Sequence, residues 1–362
     1  MAKGFLILHS LLFLAFDPQP AVFYSSPTLR SERLDPAHYE FEYTIKDDYG
    51  QPMSVVALTG DSGTRYWYRR IFTPVCLTGE CRPVDIGIYW HFTGKYVGIE
   101  VYGEPLTKTD HSEFAPLDYA RLENILQNEW SDLREYTAEE LVEPSGNVSE
   151  ELDGVSGATK QAVSEAAVKD AVYTTHTIWH LIHVGEPEQL SLLALGKTAE
   201  NPSIAHELLA APNTANRNFV LNGVIDGNLP SDPTIERTVL EGLTSTDKSL
   251  RSLSFKALTG LNLADKTVQD GLAIAYLQLE ASEKVRVLTP LERATELHPA
   301  LRATLLAEFT TATQPWVLIK ILTLLEQSRT PLTAAERKKI SKVVDTQHAP
   351  LKAALSNFLK NR

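Results

Sequence analysis

Apolar and polar positions alternate through the first third of the chain, with the period of two that is typical of half-buried β-strands. Turn-forming residues separate the alternating segments, and a Gly-Lys turn at residues 93–96 joins the last two. That pattern predicts a β-hairpin inside a larger sheet. The predicted strands are residues 39–45, 54–58, 65–72, 84–90 and 97–102.

Other stretches of this region have a different character. Residues 118–130 have apolar side chains at helical spacing, which predicts an amphipathic helix that includes Trp130 on its apolar face. Residues 137–142 predict a short helix with Thr137 as its N-cap. Residues 25–37, ahead of the first predicted strand, resemble a polar tether. The region therefore reads as a β-rich α+β domain.

The strand pattern ends near residue 186, and short segments with helical apolar spacing follow. Many short helices with short links predict a C-terminal all-α, HEAT-like solenoid, and a compact helical bundle is the alternative. The clearest segments are residues 202–210, 232–243, 248–258, 268–277, 301–309 and 317–325.

We divide the sequence into a leader at residues 1–24, the α+β domain at 25–186 and the helical domain at 187–362. Lys3 and the apolar run after it are typical of a secretory signal peptide, since the run is shorter than the roughly 20 residues of a membrane span. A core strand or an uncleaved anchor is the alternative. Export predicts an extracytoplasmic location, with the periplasm as the first candidate.

Composition narrows the classes of partner. The 362 residues are 43% hydrophobic and 22% charged, as in ordinary globular proteins, and the formal net charge is −12. Nucleic-acid binding requires concentrated lysine and arginine, and no basic stripe with interleaved aromatic residues occurs. The sequence therefore predicts no nucleic-acid partner.

Residues 153–159 read Asp-Gly-Val-Ser-Gly-Ala-Thr, and helical spacing begins at Lys160 and continues towards Gly185. The N-terminus of a helix offers unpaired N–H groups and the positive end of the dipole, which suits a phosphate. Gly157 permits close approach of a ligand, and Thr159 supplies a hydroxyl. An ordinary Ser-Gly turn at the start of an alanine-rich helix is the alternative.

The pattern Asp-x-x-Ser-Gly-Ala-Thr resembles the signature of the FMN-binding domain family, which occurs in flavoprotein subunits of Rnf and sodium-pumping NADH:quinone reductase complexes. In that family a flavin transferase attaches FMN through its phosphate to the last threonine. The resemblance covers residues 75–185 and implies covalent FMN on Thr159. Lys160 stands where the family often has Ser or Thr, and its cation could neutralise a phosphodiester. The implied recognition residues are Asp153, Ser156, Gly157 and Ala158.

The same family has a loop that follows a strand–turn–strand unit and reaches the flavin. The corresponding loop is residues 103–111, so the resemblance implies that Thr107, Lys108 and His111 contact the cofactor. A solvated loop with ordinary turn chemistry is the alternative.

Cys76 and Cys81 are the two cysteines of the chain. Four residues separate them, which does not match a CxxC redox motif or a common zinc pair. In an exported protein this spacing favours a disulfide that fixes a turn. Electron exchange between that disulfide and a flavin is the alternative.

His176, His180 and His183 fall on one face of the predicted helix. That spacing could hold a metal or a haem iron, but no carboxylate lies on the face and no CxxCH occurs. We therefore predict no metal site, and expect these histidines to be hydrogen-bonded within the fold.

These observations predict an exported flavoprotein that carries electrons through FMN on Thr159, with the helical domain as a docking surface. We expect an electron carrier or a reductase component, because no acid, base or nucleophile constellation stands out. The implied partners are a flavin transferase and an unidentified redox protein, with a membrane-associated electron-transfer complex as a candidate assembly. The alternative is a non-redox, exported helical-repeat adaptor whose FMN-binding-like domain is degenerate.

Overall fold

The computed structural model describes most of the chain beyond the leader. The described residues are 21–32, 34–37, 39, 41–46, 50–60, 64–76, 81–137, 140–141, 165–310, 314–328, 330–344 and 349–361.

A six-stranded antiparallel sheet forms the N-terminal part, as the alternating pattern predicts. The spatial order is β1-β6-β5-β4-β3-β2. The last five strands of the chain therefore form a meander, and the first strand lies at one edge of the sheet, next to the last. The strands are β1 (Val22–Ser25), β2 (Phe41–Lys46), β3 (Pro52–Thr59), β4 (Arg65–Thr73), β5 (Val84–His91) and β6 (Tyr96–Tyr102).

The central strands bury side chains on both faces of the sheet. Trp67 pairs with Trp90 across β4 and β5, and Tyr68 pairs with Tyr89 in the adjacent register position. Because successive side chains point to opposite faces, the tryptophans occupy one face and the tyrosines the other. All four side chains are buried, so both faces of the sheet are covered at these two register positions.

The segment that precedes the predicted strands is not a tether. Val22–Ser25 is β1, and Ser26 and Leu29 are buried against β6. Ser26 Oγ accepts a hydrogen bond from the Ile99 backbone N–H at 2.9 Å. Gly98 makes this approach feasible, since a Cβ there would lie 2.8 Å from Leu29 Cγ. The prediction was wrong because these contacts span about seventy residues and leave no local periodic signal.

Two helices accompany the sheet. Helix α1 (Pro116–Leu126) follows β6, and helix α2 (Val172–His183) contacts α1. Helix α1 ends before Trp130, whose side chain is 73% exposed, so that residue does not share the buried face as predicted. The predicted helix at residues 137–142 lies partly outside the described residues.

The predicted continuous helix from Lys160 to Gly185 is also wrong within the described residues. The chain is non-helical at 167–171, and Asp170 has a φ of 59°, in the left-handed region. Such a residue interrupts a right-handed helix. Helix α2 therefore has its own N-terminus at Val172.

The described residues after 186 contain helices and turns without strands. Among the helices whose ranges follow, α4, α6, α8, α10 and α12 form one series, in which each helix contacts the next. The helices are α3 (Glu186–Glu200), α4 (Pro202–Ala210), α5 (Thr214–Ile225), α6 (Pro233–Gly242), α7 (Lys248–Ala257), α8 (Lys266–Tyr276), α9 (Ala281–Leu291), α10 (Pro299–Ala307), α11 (Pro315–Gln327), α12 (Ala334–Val344) and α13 (Ala349–Asn361).

The fold is therefore α+β, with an N-terminal antiparallel sheet and a C-terminal all-helical region. The chain divides into two compact units, Met1–Ser191 and Leu192–Arg362. Among the described helices, none combines the length and apolarity needed to cross a membrane.

The hairpin turn between β5 and β6 provides a test of the packing in the first unit. Gly94 has a φ of 86°, and a Cβ there would lie 2.5 Å from the Pro187 carbonyl oxygen. Gly50 has a φ of 77° and no atom within 4 Å of such a Cβ. We expect Gly50→Ala to lower the free energy of unfolding by about 1 kcal/mol, and Gly94→Ala by about 3 kcal/mol.

Urea unfolding followed by tryptophan fluorescence measures this difference, since Trp67, Trp90, Trp130 and Trp179 lie in the first unit. Equal losses in the two variants would show that the turn does not pack against Pro187.

Candidate functional site

The motif residues Asp153, Ser156, Gly157, Ala158 and Thr159 lie outside the described residues. The described chain resumes at Glu165, whose carbonyl oxygen accepts a hydrogen bond from Arg121 Nη2 at 2.7 Å. Because Arg121 belongs to α1, the chain that follows the motif lies against that helix.

The loop after β6 closes on itself through backbone hydrogen bonds. Lys108 N–H donates to the Ser112 carbonyl at 2.8 Å, and His111 N–H donates to the Lys108 carbonyl at 3.0 Å. His111 lies exposed in this turn, and its φ is 65°. Thr107 is 5% exposed and forms an isolated bridge with Glu113, so its side chain lies under the loop.

This loop contacts the chain that leads from the motif into α2. The N–H of Thr109 and its Oγ1 both donate to the Asp170 carbonyl, at 2.8 and 3.0 Å. One turn into α2, Thr174 Oγ1 donates to the Thr107 carbonyl at 2.9 Å. The structure thus brings the predicted flavin loop to the segment that follows the motif.

Lys108 has a structural partner in the described structure. Its Nζ lies 3.0 Å from Asp118 Oδ2, and the same oxygen accepts the Ala115 N–H at 2.9 Å. Partial burial opposes ionisation of Asp118, but the Ala115 N–H and the Lys108 ammonium hold the pKa of that carboxyl below its usual value. Lys108 therefore stabilises the N-terminus of α1.

Cys76 and Cys81 form the predicted disulfide, with their Cα atoms 5.8 Å apart. The residue before it, Val75, accepts a hydrogen bond from Thr177 Oγ1 of α2 at 3.3 Å. On the other side, Arg82 Nη1 lies 3.0 Å from Glu104 Oε2 at the start of the loop after β6. The disulfide turn, the loop and the first half of α2 therefore gather at one end of the sheet.

The three histidines of α2 each engage a backbone carbonyl. A ring nitrogen of His176 lies 2.8 Å from the Tyr136 oxygen, one of His180 lies 3.1 Å from the His176 oxygen, and one of His183 lies 2.9 Å from the Leu126 oxygen. Burial lowers the pKa of His183. Within the described ranges no group of three potential ligands could hold a metal ion.

A cleft of about 670 Å³ lies at the other end of α2, where the helix ends at His183. Trp130, Trp179 and Gly94 contribute to its lining. Arg134 places its guanidinium 5.2 Å from the centre of the Trp130 ring. Sequence reasoning missed this cleft because it assigned Trp130 to the buried face of α1. A helix of 12 residues is about 18 Å long, so the cleft lies roughly that far from the loop at the start of α2.

Comparisons with protein-family models, with curated proteins and with solved structures found no match for this chain.

The ion pair at the start of α1 gives a test of what Lys108 does. We expect Asp118→Ala to lower the free energy of unfolding by about 1–2 kcal/mol, because it removes the acceptor for the Ala115 N–H as well as the ion pair. Lys108→Met should cost less than about 1 kcal/mol, since Asp118 keeps its backbone partner.

Urea unfolding of the two variants beside the wild type provides the comparison. A Lys108→Met variant that loses as much stability as Asp118→Ala would show that the Asp118 hydrogen bond to the Ala115 N–H adds nothing to the ion pair.

Proposed function

We propose that this chain is an exported flavoprotein that carries electrons through FMN attached covalently to Thr159. The observation that carries the proposal is the sequence Asp153-Gly-Val-Ser-Gly-Ala-Thr159, which matches the family signature at all five fixed positions. A flavin transferase would transfer FMN from a flavin dinucleotide to Thr159 Oγ: the pyrophosphate bond of the donor would break, the phosphoester would form, and the hydroxyl proton and the nucleoside monophosphate would leave. The redox chemistry belongs to the flavin, and the protein holds and orients it.

The position of the described loop supports this proposal. Glu165 is six residues after Thr159, so the covalent chain keeps the two within about 22 Å. The hydrogen bond from Thr109 to the Asp170 carbonyl joins the loop after β6 to a residue five positions further along the chain. A cofactor on Thr159 could therefore reach the loop that the family resemblance implicates.

Exposed basic side chains lie near that contact, beside the carboxylates of Asp110 and Asp170. Lys169 and His111 are exposed and lie next to Asp170 and within two residues of Thr109. Lys108 is paired with Asp118, so we assign phosphate neutralisation to Lys160 and Lys169 instead, with His111 as a hydrogen-bonding side chain. The nearby Asp110 carboxylate accepts hydrogen bonds from the N–H and the Oγ of Ser112. These bonds direct the Asp110 carboxylate towards its own loop.

We further propose that the helical unit is a HEAT-like solenoid that docks a redox partner. The support is a recurring hydrogen bond, in which a polar side chain of one helix reaches the N-terminal region of the next-but-one helix. This relation recurs at sequence separations of 26 to 34 residues. The pairs are His206 with Asp232, Arg217 with Asp247, Arg251 with Glu283, Gln269 with His298 and Arg302 with Glu336.

A recurring register of this kind is what stacked helical repeats require, since each repeat contacts only its neighbours. The even-numbered series of helices shows the same next-neighbour contacts. A compact bundle would instead bring distant helices together around one core. An electron carrier needs a surface for its donor or acceptor, and a solenoid offers an extended one.

The flavin proposal is tested by co-expressing the exported chain with a flavin transferase and measuring its intact mass. We expect the wild type to gain the mass of one FMN less one water, and Thr159→Ala to stay unmodified. Thr310→Ala, a change to an exposed threonine of the helical unit, should be modified like the wild type.

An unmodified wild type, together with modification of a known substrate by the same transferase, would contradict the flavin proposal. It would favour the second candidate, a non-redox adaptor with a degenerate FMN-binding-like domain. The observation that favours this candidate is the ion pair between Lys108 and Asp118. Lys108 is a predicted cofactor contact, but in this pair it stabilises the N-terminus of α1.

The pair of Arg302 and Glu336, the last of the recurring hydrogen-bonded pairs, allows a test based on the pH dependence of stability. Arg302 donates to both carboxylate oxygens of Glu336 and, against the opposing effect of burial, lowers the pKa of that carboxyl to about 2. A carboxyl with a lowered pKa stabilises the fold above its unfolded value of about 4.5, and this stabilisation disappears as the pH falls towards 2.

We expect Glu336→Gln to lower the melting temperature at pH 7 and to flatten its decline between about pH 4.5 and 2. Helical circular dichroism of the full chain measures both, and Glu241→Gln, at an exposed position of α6, serves as control. If the melting temperature of Glu336→Gln depends on pH as that of the wild type does, the pair of Arg302 and Glu336 does not stabilise the helical unit.

A further inference from the structure

A second cleft of the N-terminal unit lies between β1 and α1, and its volume is about 610 Å³. Its lining is largely aromatic. The Tyr24 and Tyr119 rings stack at 4.3 Å, and Phe114 lies edge-on to Tyr119 at 5.5 Å. Phe23 stands 6.4 Å from Tyr119 and is 51% exposed, so an apolar surface remains open at the mouth.

One carboxylate, Glu123 of α1, faces this aromatic surface. It is half-buried, and its Oε2 accepts a hydrogen bond from Ser26 Oγ at 2.7 Å. Gln127 Nε2 lies 3.4 Å from its other oxygen. Among the described residues no lysine, arginine or histidine forms an ion pair with Glu123. Burial raises the pKa of Glu123, although the Ser26 and Gln127 hydrogen bonds oppose the rise.

A half-buried carboxylate gains most from a cation that also fills its apolar surroundings. Aromatic rings attract cations through their faces, so rings and carboxylate favour the same kind of head group. We propose that the cleft formed by Tyr24, Phe114, Tyr119 and Glu123 binds an organic ammonium ion with an apolar or aromatic body. The ammonium would contact Glu123, and the body would lie along the rings towards Phe23.

Arg30 is the charged group that opposes this ligand. It lines the same cleft, and its Nε and Nη2 lie 3.4 and 3.2 Å from the Ser25 carbonyl oxygen, to which they donate. These hydrogen bonds direct the guanidinium towards the backbone, but its charge still repels a bound cation. Removal of the Arg30 charge should therefore strengthen binding, whereas removal of the Glu123 charge should weaken it.

The proposal does not depend on a flavin, because the cleft lies between β1 and α1 and the disulfide turn does not contribute to its lining. Failure of one proposal leaves the other intact. Both can be tested on the same full-length protein.

Isothermal titration of the full chain with tryptamine, indole and indole-3-acetate tests the inference, since these probes share a ring system and differ in charge. We expect tryptamine to bind best and indole-3-acetate not to bind. Glu123→Gln should weaken the affinity for tryptamine about tenfold, which is the usual effect of losing a hydrogen bond to a charged group. Arg30→Gln should strengthen it about threefold.

Two further variants keep the test decisive if Glu123→Gln perturbs the fold. Ala120→Trp fills the cleft from an exposed position of α1 and should abolish binding without a change in the core. Glu129→Gln removes an exposed carboxylate outside the cleft and should leave binding unchanged. Absence of tryptamine binding, equal binding of the three probes, or unchanged binding in Ala120→Trp would overturn the proposal.

Discussion

The packing of the N-terminal unit depends on the hydrogen bonds that its buried indole N–H groups must form. Trp90 Nε1 of the sheet donates to the Ile182 carbonyl of α2 at 3.0 Å, and Trp179 Nε1 of α2 donates to the Asn128 carbonyl beyond α1 at 2.9 Å. An unpaired buried donor costs about 1–3 kcal/mol, so each bond favours one position of α2. The two bonds fasten α2 between the sheet and α1.

The contacts at one end of the sheet follow from this position of α2. Because α2 is fixed at its C-terminal half by Trp90 and Trp179, its first turns are carried to the end of the sheet where the β4–β5 turn lies. There Thr174 contacts the loop after β6 and Thr177 contacts the residue before the disulfide. The described chain that leads into α2 begins at Glu165, and at this end of α2 it meets the loop after β6 and the disulfide turn.

Local periodicity was enough to predict the strands after β1, the hairpin at Gly94 and the separate helical segments. It failed where long-range contacts decide the structure, as at Ser26, which pairs with a strand far along the chain. It also failed at Asp170, whose left-handed backbone interrupts an otherwise helical pattern. Glu123 carries no sequence signal, because only the folding of β1 onto α1 encloses it. The disulfide was predicted from the spacing of the two cysteines together with the expectation of export.

The central claim is covalent attachment of FMN at the motif, and peptide mapping under denaturing conditions tests it most directly. Trypsin cleaves after Arg134 and Lys160, and no lysine or arginine lies between them, so one peptide of residues 135–160 contains Thr159. After co-expression with a flavin transferase, we predict that this peptide alone carries flavin fluorescence and that fragmentation places the added mass on Thr159. Flavin on another peptide, or no flavin on any peptide, would contradict the account.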